Sequence, residues 1–214
     1  MTAQPEGFFA APPSGAGSGV LVLHPWWGLN DTIRDFCRRL AAEGYVVFAP
    51  DLFHGEVATT IEQAEALSGK ADGARAKAEI AEAVAFLKAR AERPELAVVG
   101  FSFGAYFALA LSAEDSDAVR TVVIFYGTGP ADFGRSKAAY LGHFAQDDPY
   151  EPLENVAELE KELRAAGRPV TFHTYPGTGH WFFEPDRIDA YNAAAAQLAW
   201  DRTLAFLREQ VDSL

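Results

Sequence analysis

Gly100, Ser102 and Gly104 form a Gly-x-Ser-x-Gly motif where a strand pattern gives way to a helix pattern. The apolar run 96–99 is short and rich in strand formers, and the stretch 103–111 is apolar on nearly every face, as in a buried helix. On such a corner a serine hydroxyl stands clear of the sheet, and the helix directs its free N–H groups at the same spot. We therefore interpret Ser102 as a candidate nucleophile.

Two later loops contain groups that could activate this hydroxyl. A serine is a good nucleophile only when a base removes its proton and a third group orients that base. Asp147 and Asp148 follow one predicted strand, and His180 follows the next, behind Gly177 and Gly179. A Gly-x-Ser-x-Gly turn between strand and helix is a nucleophile elbow, and in folds with this turn the partners follow in the chain order serine, acid, histidine, as they do here. We predict His180 as the base, and either aspartate as the acid.

The other histidines have simpler interpretations. His143 and His173 lie within predicted strands and are expected to be packed side chains. His24 and His54 lie in loops at strand ends, close enough to line a pocket. A metal site formed by His143 and the two aspartates is a weak alternative, because their spacing matches no zinc signature. We therefore expect no metal.

The composition limits the classes of partner. The 214 residues are 49% hydrophobic and 22% charged, as in a globular protein, and fit one domain spanning 1–214. The net charge of -12 and the lack of a basic stripe argue against nucleic acid and anionic membrane. No apolar run reaches membrane-spanning length, and the N-terminus lacks a signal-peptide pattern. A single cysteine, Cys37, cannot form an internal disulfide, which fits a reducing cytoplasm. It lies on the apolar side of a predicted helix and is expected to be buried.

Apolar strands alternate with helices along the whole sequence. The predicted strands are 7–12, 20–23, 45–50, 96–99, 119–126, 140–145 and 170–175, and the predicted helices are 31–43 (capped by Asp31), 61–68, 74–90, 103–111, 153–166 and 186–210. This pattern is typical of an α/β fold with a mostly parallel sheet covered by helices on both faces. In such sheets reactive groups gather in loops beyond the carboxyl ends of the strands, as the candidate residues do here.

Six segments resemble, in order and spacing, motifs of the dienelactone hydrolase family of α/β-hydrolases. They are 26–31, 44–45 with 49–55, 100–105, 125–127, 148–152 and 175–180. The resemblance implies an α/β-hydrolase fold, a monomer and a triad of Ser102, His180 and Asp148. It also implies an oxyanion hole formed by the backbone N–H groups of Trp26 and Phe103. Chemistry of this kind needs no cofactor.

The chain departs from the family in ways that bear on the substrate. The best-known members carry a cysteine at the position of Ser102 and a glutamate at that of Pro25. Their arginine shortly after the histidine holds a substrate carboxylate, whereas residues 181–184 here offer aromatic surface and a negative charge. We therefore expect small, neutral, rather apolar esters or lactones. The candidates for an aromatic pocket wall are Trp26, Trp27, Phe53, Phe103, Tyr126 and Trp181.

Three functional hypotheses result. The preferred one is a serine-dependent hydrolase of small carboxylic esters or lactones that forms an acyl-enzyme. The second is dienelactone hydrolysis itself, with other cations in place of the missing arginine. The third is a binding protein that keeps the fold without catalysis, and the presence of all three triad residue types in order disfavours it.

Overall fold

The computed structural model describes residues 3–212, so residues 1–2 and 213–214 of the predicted domain lie outside it. Strands and helices alternate along this part of the chain. The strands are β1 (Gly7–Ala10), β2 (Gly19–Leu23), β3 (Val46–Pro50), β4 (Leu96–Phe101), β5 (Val119–Phe125), β6 (Ala139–Ala145) and β7 (Val170–Tyr175). The helices are α1 (Asp31–Ala42), α2 (Ile61–Lys70), α3 (Gly73–Lys88), α4 (Phe103–Glu114), α5 (Leu153–Ala165) and α6 (Ala193–Asp212).

The strands form one sheet in the order β1-β3-β2-β4-β5-β6-β7. β1 runs antiparallel to β3, and the other neighbouring pairs are parallel. The carboxyl ends of the parallel strands therefore meet at one side, where the ligand-binding loops of α/β sheets lie. β7 is an edge strand paired with β6, and most of its residues are half-buried or exposed.

Helices cover both faces of the sheet. In β2, Val20 and Val22 belong to a core shared with α1 and α6, whereas Leu21 and Leu23 belong to a core shared with α3, α4 and α5. Because alternate side chains of a strand point to opposite faces, a strand between two helical layers is apolar at every position. This confirms the predicted parallel sheet covered on both faces. No helix within the described residues is long and apolar enough to span a membrane.

The last helix begins later than predicted, at Ala193 instead of Asp186. The side chain of Asn192 accepts the N–H of the third helical residue at 3.1 Å, which fixes the start of α6. Asp186 instead accepts hydrogen bonds from Thr32 Oγ1 at 2.7 Å and Asn30 Nδ2 at 3.2 Å. These bonds tie the loop between His180 and α6 to the start of α1.

The N-cap of α1 is Asn30, not the predicted Asp31. Asn30 has an extended backbone, and its side-chain oxygen accepts the N–H of Ile33 at 3.1 Å. Asp31 is the first helical residue, where its negative charge still interacts favourably with the helix dipole.

Candidate active site

Ser102 stands at the corner between β4 and α4, with φ 47° and ψ -109°. Positive φ is uncommon for a residue with a side chain and stores strain. The corner requires glycine on either side of the serine. A Cβ on Gly104 would lie 2.2 Å from the carbonyl oxygen of Leu23, and one on Gly100 would lie 2.6 Å from that of Gly104. The sheet thus holds Ser102, half-buried, in a strained turn.

Ser102, His180 and Asp148 form a row of hydrogen-bonding side chains. Ser102 Oγ lies 3.0 Å from His180 Nε2, and His180 Nδ1 lies 2.7 Å from Asp148 Oδ2. The other carboxylate oxygen, Oδ1, accepts the backbone N–H groups of Tyr150 and Glu151, each at 2.9 Å. The side chains of His180 and Asp148 are only 5% and 2% exposed. With its proton on Nδ1, the imidazole donates to Asp148 and can accept the serine proton on Nε2.

Of the two neighbouring aspartates, the structure brings only Asp148 to His180. The side chain of Asp147 is exposed and lines the outer cavity beside His180. Its backbone N–H donates to the carbonyl oxygen of Thr178 at 3.0 Å, which joins the loop after β6 to the loop after β7. Asp147 therefore helps to hold the two loops together through its backbone.

The loop after β2 carries Trp26 and is fixed by a buried histidine. His24 is fully buried, its Nδ1 lies 2.7 Å from the carbonyl oxygen of Pro25, and its Nε2 accepts the N–H of Leu52 at 3.1 Å. Burial lowers the pKa of His24, which keeps the imidazole neutral. His24 thus fixes the loop and lies away from the predicted pocket. Within residues 3–212, the backbone N–H groups of Trp26 and of Phe103, the first residue of α4, donate to no acceptor.

A small cavity opens directly beside Ser102. Its volume is about 230 Å³, and it is lined by Trp26, Ser68, Ser102, Phe103, Tyr150 and His180. The cavity is lined by the candidate nucleophile, the candidate base and the two residues with free N–H groups, whereas Asp148 lies behind His180 and does not line it.

An aromatic cluster separates this small cavity from a larger one. The Tyr150 ring lies 5.6 Å from that of Trp26, 5.0 Å from that of Trp181 and 5.2 Å from that of His180, measured between ring centroids. Trp181 stacks on Trp26 at 5.9 Å and meets the edge of Trp27 at 5.1 Å. Tyr150 and His180 line both cavities.

The larger cavity has a volume of about 550 Å³. Its aromatic and histidine wall consists of Trp27, Tyr150, His180 and Trp181. Its charged residues are Asp147, Asp186, Arg187 and Asp189, and Ile61 and Ile188 lie at its rim. Trp27 and Trp181 were predicted as pocket residues and lie in this wall.

Two other predicted pocket residues lie elsewhere. Phe53 is 5% exposed and packs against His24 and Phe103, on the side of the loop that faces a separate surface cleft. Tyr126 is fully buried behind His180, with its ring 4.9 Å from the imidazole, and lines neither cavity beside Ser102. Its backbone has a φ of 36°, and its side chain lies in the core.

Tyr126 is hydrogen-bonded to Glu184, the buried acidic residue of the segment 181–184. Its hydroxyl donates to Glu184 Oε1 at 2.7 Å, and Glu184 is fully buried with Oε2 unpaired within the described residues. Burial raises the pKa of Glu184 to about 8, although the Tyr126 hydrogen bond opposes this shift. The acidic side chain of 181–184 is therefore buried in the core and lines neither cavity, which corrects the expectation of a negative charge at the pocket.

The remaining histidines carry no metal site. Both ring nitrogens of buried His143 have partners, Nδ1 at 2.8 Å from the Tyr175 hydroxyl and Nε2 at 3.0 Å from Thr203 Oγ1. His54 lies in the separate cleft, with Nδ1 3.0 Å from Glu6 Oε2. Within residues 3–212, no group of three or more potential ligands is placed to hold a metal ion.

Several cavity residues were not predicted from the sequence, among them Tyr150, Ser68 and Arg187. Tyr150 lies two positions after Asp148, within the family-like segment 148–152, and this position was the available signal. Ser68 reaches the small cavity from α2, a helix with Ala64 as its buried residue and no motif of its own. Arg187 lies in the loop that was predicted to be helical, where its guanidinium sits 4.0 Å above the Trp27 ring.

Comparison with known proteins places this geometry in a family. Residues 6–211 match the model of the dienelactone hydrolase family. "Protein usf" of Aquifex pyrophilus is 32% identical over 95% of this chain and 93% of its own. A Methylorubrum extorquens protein with the provisional name of a carboxymethylenebutenolidase is 31% identical over 89% of this chain and 71% of its own.

Solved structures agree with this placement. The crystal structure of a Klebsiella pneumoniae protein, provisionally named a dienelactone hydrolase, has a TM-score of 0.78 at 26% identity, covering 89% of this chain and 87% of the other. A dienelactone hydrolase-like phosphotriesterase from metagenomic libraries shares the fold, with a TM-score of 0.80 at 23% identity over 94% and 88% of the two chains. The α/β-hydrolase fold is thereby confirmed. The chain belongs to the dienelactone hydrolase family and is a hydrolase.

Proposed function

We propose that this protein hydrolyses small carboxylic esters or lactones through a covalent acyl-enzyme on Ser102. The observation that carries the proposal is the row of contacts from Ser102 Oγ to His180 Nε2 at 3.0 Å and from His180 Nδ1 to Asp148 Oδ2 at 2.7 Å. In this role His180 removes the serine proton as Oγ attacks the carbonyl carbon. Asp148 fixes the tautomer of the imidazole and stabilises the imidazolium that forms.

The charge that develops on the carbonyl oxygen needs donors that are already in place. The backbone N–H groups of Trp26 and Phe103 are assigned this role in the proposal, because both belong to residues lining the cavity beside Ser102 and neither has an acceptor among residues 3–212. The free N-terminal end of α4 adds a positive dipole at the same place. Removing one such donor in other enzymes costs about 10²–10³ in rate.

The size of the small cavity favours a small acyl group. About 230 Å³ holds the ester carbonyl and a short chain, and its walls are largely aromatic. The proposed substrates are therefore neutral short-chain esters or small lactones. A monomer acting in the cytoplasm without a cofactor completes the proposal.

The deciding experiment compares the wild-type protein with Ser102→Ala on short activated esters. We expect kcat to fall by at least about 10³-fold in the variant, because the nucleophile is absent while the oxyanion donors remain. Circular dichroism and the urea midpoint of both proteins provide the control for folding. Equal activity of the two proteins would show that the serine is not the nucleophile.

Dienelactone hydrolysis is the second candidate. The name of the Methylorubrum extorquens relative and the presence of Arg187 in the larger cavity favour it. The guanidinium could attract a substrate carboxylate, although Arg187 Nη2 already lies 2.7 Å from Asp186 Oδ2. Saturation by a dienelactone at low concentration, together with poor turnover of neutral esters, would support this alternative.

A further inference from the structure

The two cavities are lined by different candidate catalytic residues. His180 lines both, whereas Ser102, Trp26 and Phe103 line only the small one. In ester cleavage the leaving oxygen must receive a proton from the histidine, and the carbonyl oxygen must face the oxyanion donors. The leaving group therefore belongs on the His180 side, where the larger cavity begins.

The larger cavity also has room for a bulky group. Its volume of about 550 Å³ lies within the range of small-molecule sites. Trp27, Tyr150 and Trp181 give the cavity an aromatic wall, and Ile61 and Ile188 extend the apolar rim. The indole N–H groups of Trp27 and Trp181 are buried and have no hydrogen-bond partner within the described residues.

The charges around this cavity are predominantly negative. Asp147, Asp186 and Asp189 line it together with one cation, Arg187. Arg187 forms a salt bridge with Asp186 at 2.7 Å, so the pair is neutral. Among the described residues, the carboxylates of Asp147 and Asp189 have no cationic partner. An anionic group in the cavity would meet two unbalanced like charges, whereas a cationic group would be attracted.

The position of Arg187 shows that the wall accepts a cation. Its guanidinium carbon lies 4.0 Å from the centroid of the Trp27 ring, the geometry of a cation–π contact. A cationic head group on a ligand could interact in the same way with the faces of Tyr150 and Trp181, because aromatic walls with nearby carboxylates are well suited to quaternary ammonium ions.

We propose that the larger cavity binds the leaving alcohol of the ester and selects bulky alcohols that carry a cationic group, such as a quaternary ammonium, over anionic ones. This inference rests on the proposed function. Ser102 Oγ forms a bond to the carbonyl carbon and its proton moves to His180 Nε2. The bond from carbon to the alcohol oxygen then breaks, its electron pair stays on that oxygen, and the Nε2 proton is transferred to it. Water subsequently releases the acid from Ser102.

A pair of isomeric esters tests which cavity holds the leaving group. Benzyl acetate places the ring in the alcohol, and methyl phenylacetate places it in the acyl group. We expect kcat/KM, divided by the rate constant for hydroxide hydrolysis, to be about tenfold higher or more for benzyl acetate, a difference typical of one apolar group in a matching pocket. An equal value, or a preference for methyl phenylacetate, would overturn the assignment.

A second pair tests charge. Acetylcholine and dimethylbutyl acetate, in which carbon replaces the quaternary nitrogen, have the same shape. We expect acetylcholine to be favoured about fivefold or more in kcat/KM, as cation–π contacts at partly exposed sites allow. Asp189→Lys should abolish this preference for acetylcholine over the neutral ester. Glu82→Lys provides the matched control, because Glu82 is exposed on α3 and lines neither cavity.

Ligand binding to the Ser102→Ala variant tests this inference separately from the proposed function, because the variant lacks the proposed nucleophile. Calorimetry with Ser102→Ala should detect binding of phenyltrimethylammonium and no binding of benzoate. The binding of phenyltrimethylammonium should be lost in the double variant that carries both Ser102→Ala and Asp189→Lys. Hydrolysis of both isosteric esters at equal rates would overturn the charge selection and leave the esterase function standing. If wild type hydrolyses no ester, the esterase proposal fails, and calorimetry alone decides whether the cavity binds cations.

Discussion

Asp148 Oδ2 lies 2.7 Å from His180 Nδ1, while Asp148 Oδ1 accepts two backbone N–H groups of its own loop. One oxygen therefore fixes the carboxylate and the other fixes the imidazole. Because both side chains are almost completely buried, water does not compete for these bonds. The relationship connects the conformation of the turn after β6 directly to the orientation of the histidine.

Replacing each aspartate separately tests this relationship. We expect Asp148→Asn to lower kcat by about 10³–10⁴-fold, because the amide favours the wrong imidazole tautomer. Asp147→Asn, with an exposed side chain, should change kcat by less than about threefold, as expected for a surface charge. Steady-state kinetics on an activated acetate, with urea midpoints as the folding control, distinguishes the two. An equal loss in Asp147→Asn would contradict the assignment of the acid.

Gly104→Ala tests the steric demand of the serine corner. The added Cβ would lie 2.2 Å from the carbonyl oxygen of Leu23, and backbone on both sides must shift. We expect the free energy of unfolding to fall by about 3 kcal/mol or more. Gly69→Ala is the control, because no atom lies within 4 Å of its added Cβ in α2. That substitution should raise stability by about 0.5–1 kcal/mol. Urea denaturation measures the stability of both variants. A similar loss of stability in the two would contradict the steric demand for glycine at position 104.

Glu184→Gln tests whether the buried acid makes the stability of the protein depend on pH. The pKa of Glu184 rises from the ordinary 4.5 to about 8, so the folded state holds a proton that the unfolded state releases between these values. The stability that the protonated Glu184 contributes is fully present below pH 4.5 and is lost as the pH rises towards 8. Gln keeps the acceptor for the Tyr126 hydroxyl and does not ionise. We expect wild type and Glu184→Gln to be equally stable at low pH. Near pH 8 the free energy of unfolding of the variant should be higher than that of wild type by a few kcal/mol.

The pH series of urea midpoints needs a surface control. Glu82→Gln removes an exposed carboxylate on α3 and should keep the wild-type pH dependence. If Glu184→Gln also follows the wild-type curve, Glu184 is ionised in the folded protein.

Cys37 tests the packing of α1. The thiol is fully buried in the core shared with α6, and burial raises its pKa above the ordinary range. A buried neutral thiol is unreactive. We expect no reaction with a thiol-specific disulfide reagent in buffer and complete reaction in denaturing urea. Rapid modification of the folded protein would show that α1 opens away from the sheet.

The elements of the fold were predictable because each follows from a local pattern. Continuous apolar strands such as β2 are needed only between two helical layers, and the glycines on either side of Ser102 are needed only at a tight corner. The order of Ser102, the aspartates and His180 then predicted that these side chains lie in loops at one side of the sheet. Sequence patterns therefore led to the correct sheet, and the structure brings Ser102, His180 and Asp148 together.

The pocket walls were less predictable, because they depend on the direction in which loop side chains point. Tyr126 and Trp181 both have positive φ, at 36° and 67°, yet one turns into the core and the other towards the cavity. Aromatic residue type carries no information about that choice. Phe53 was likewise indistinguishable from Tyr150 until the loops were assembled, and Tyr150 lies at the centre of the site.

The position of β7 at the edge of the sheet has a consequence for heat inactivation. The strand that leads to His180 has β6 as its hydrogen-bonded neighbour and is more exposed than the central strands. Edge segments open locally at a lower free energy than the core. On warming, fraying of β7 should displace the imidazole from Ser102 while β2, β4 and β5 remain intact. Activity should therefore disappear several degrees before the circular dichroism signal of the sheet.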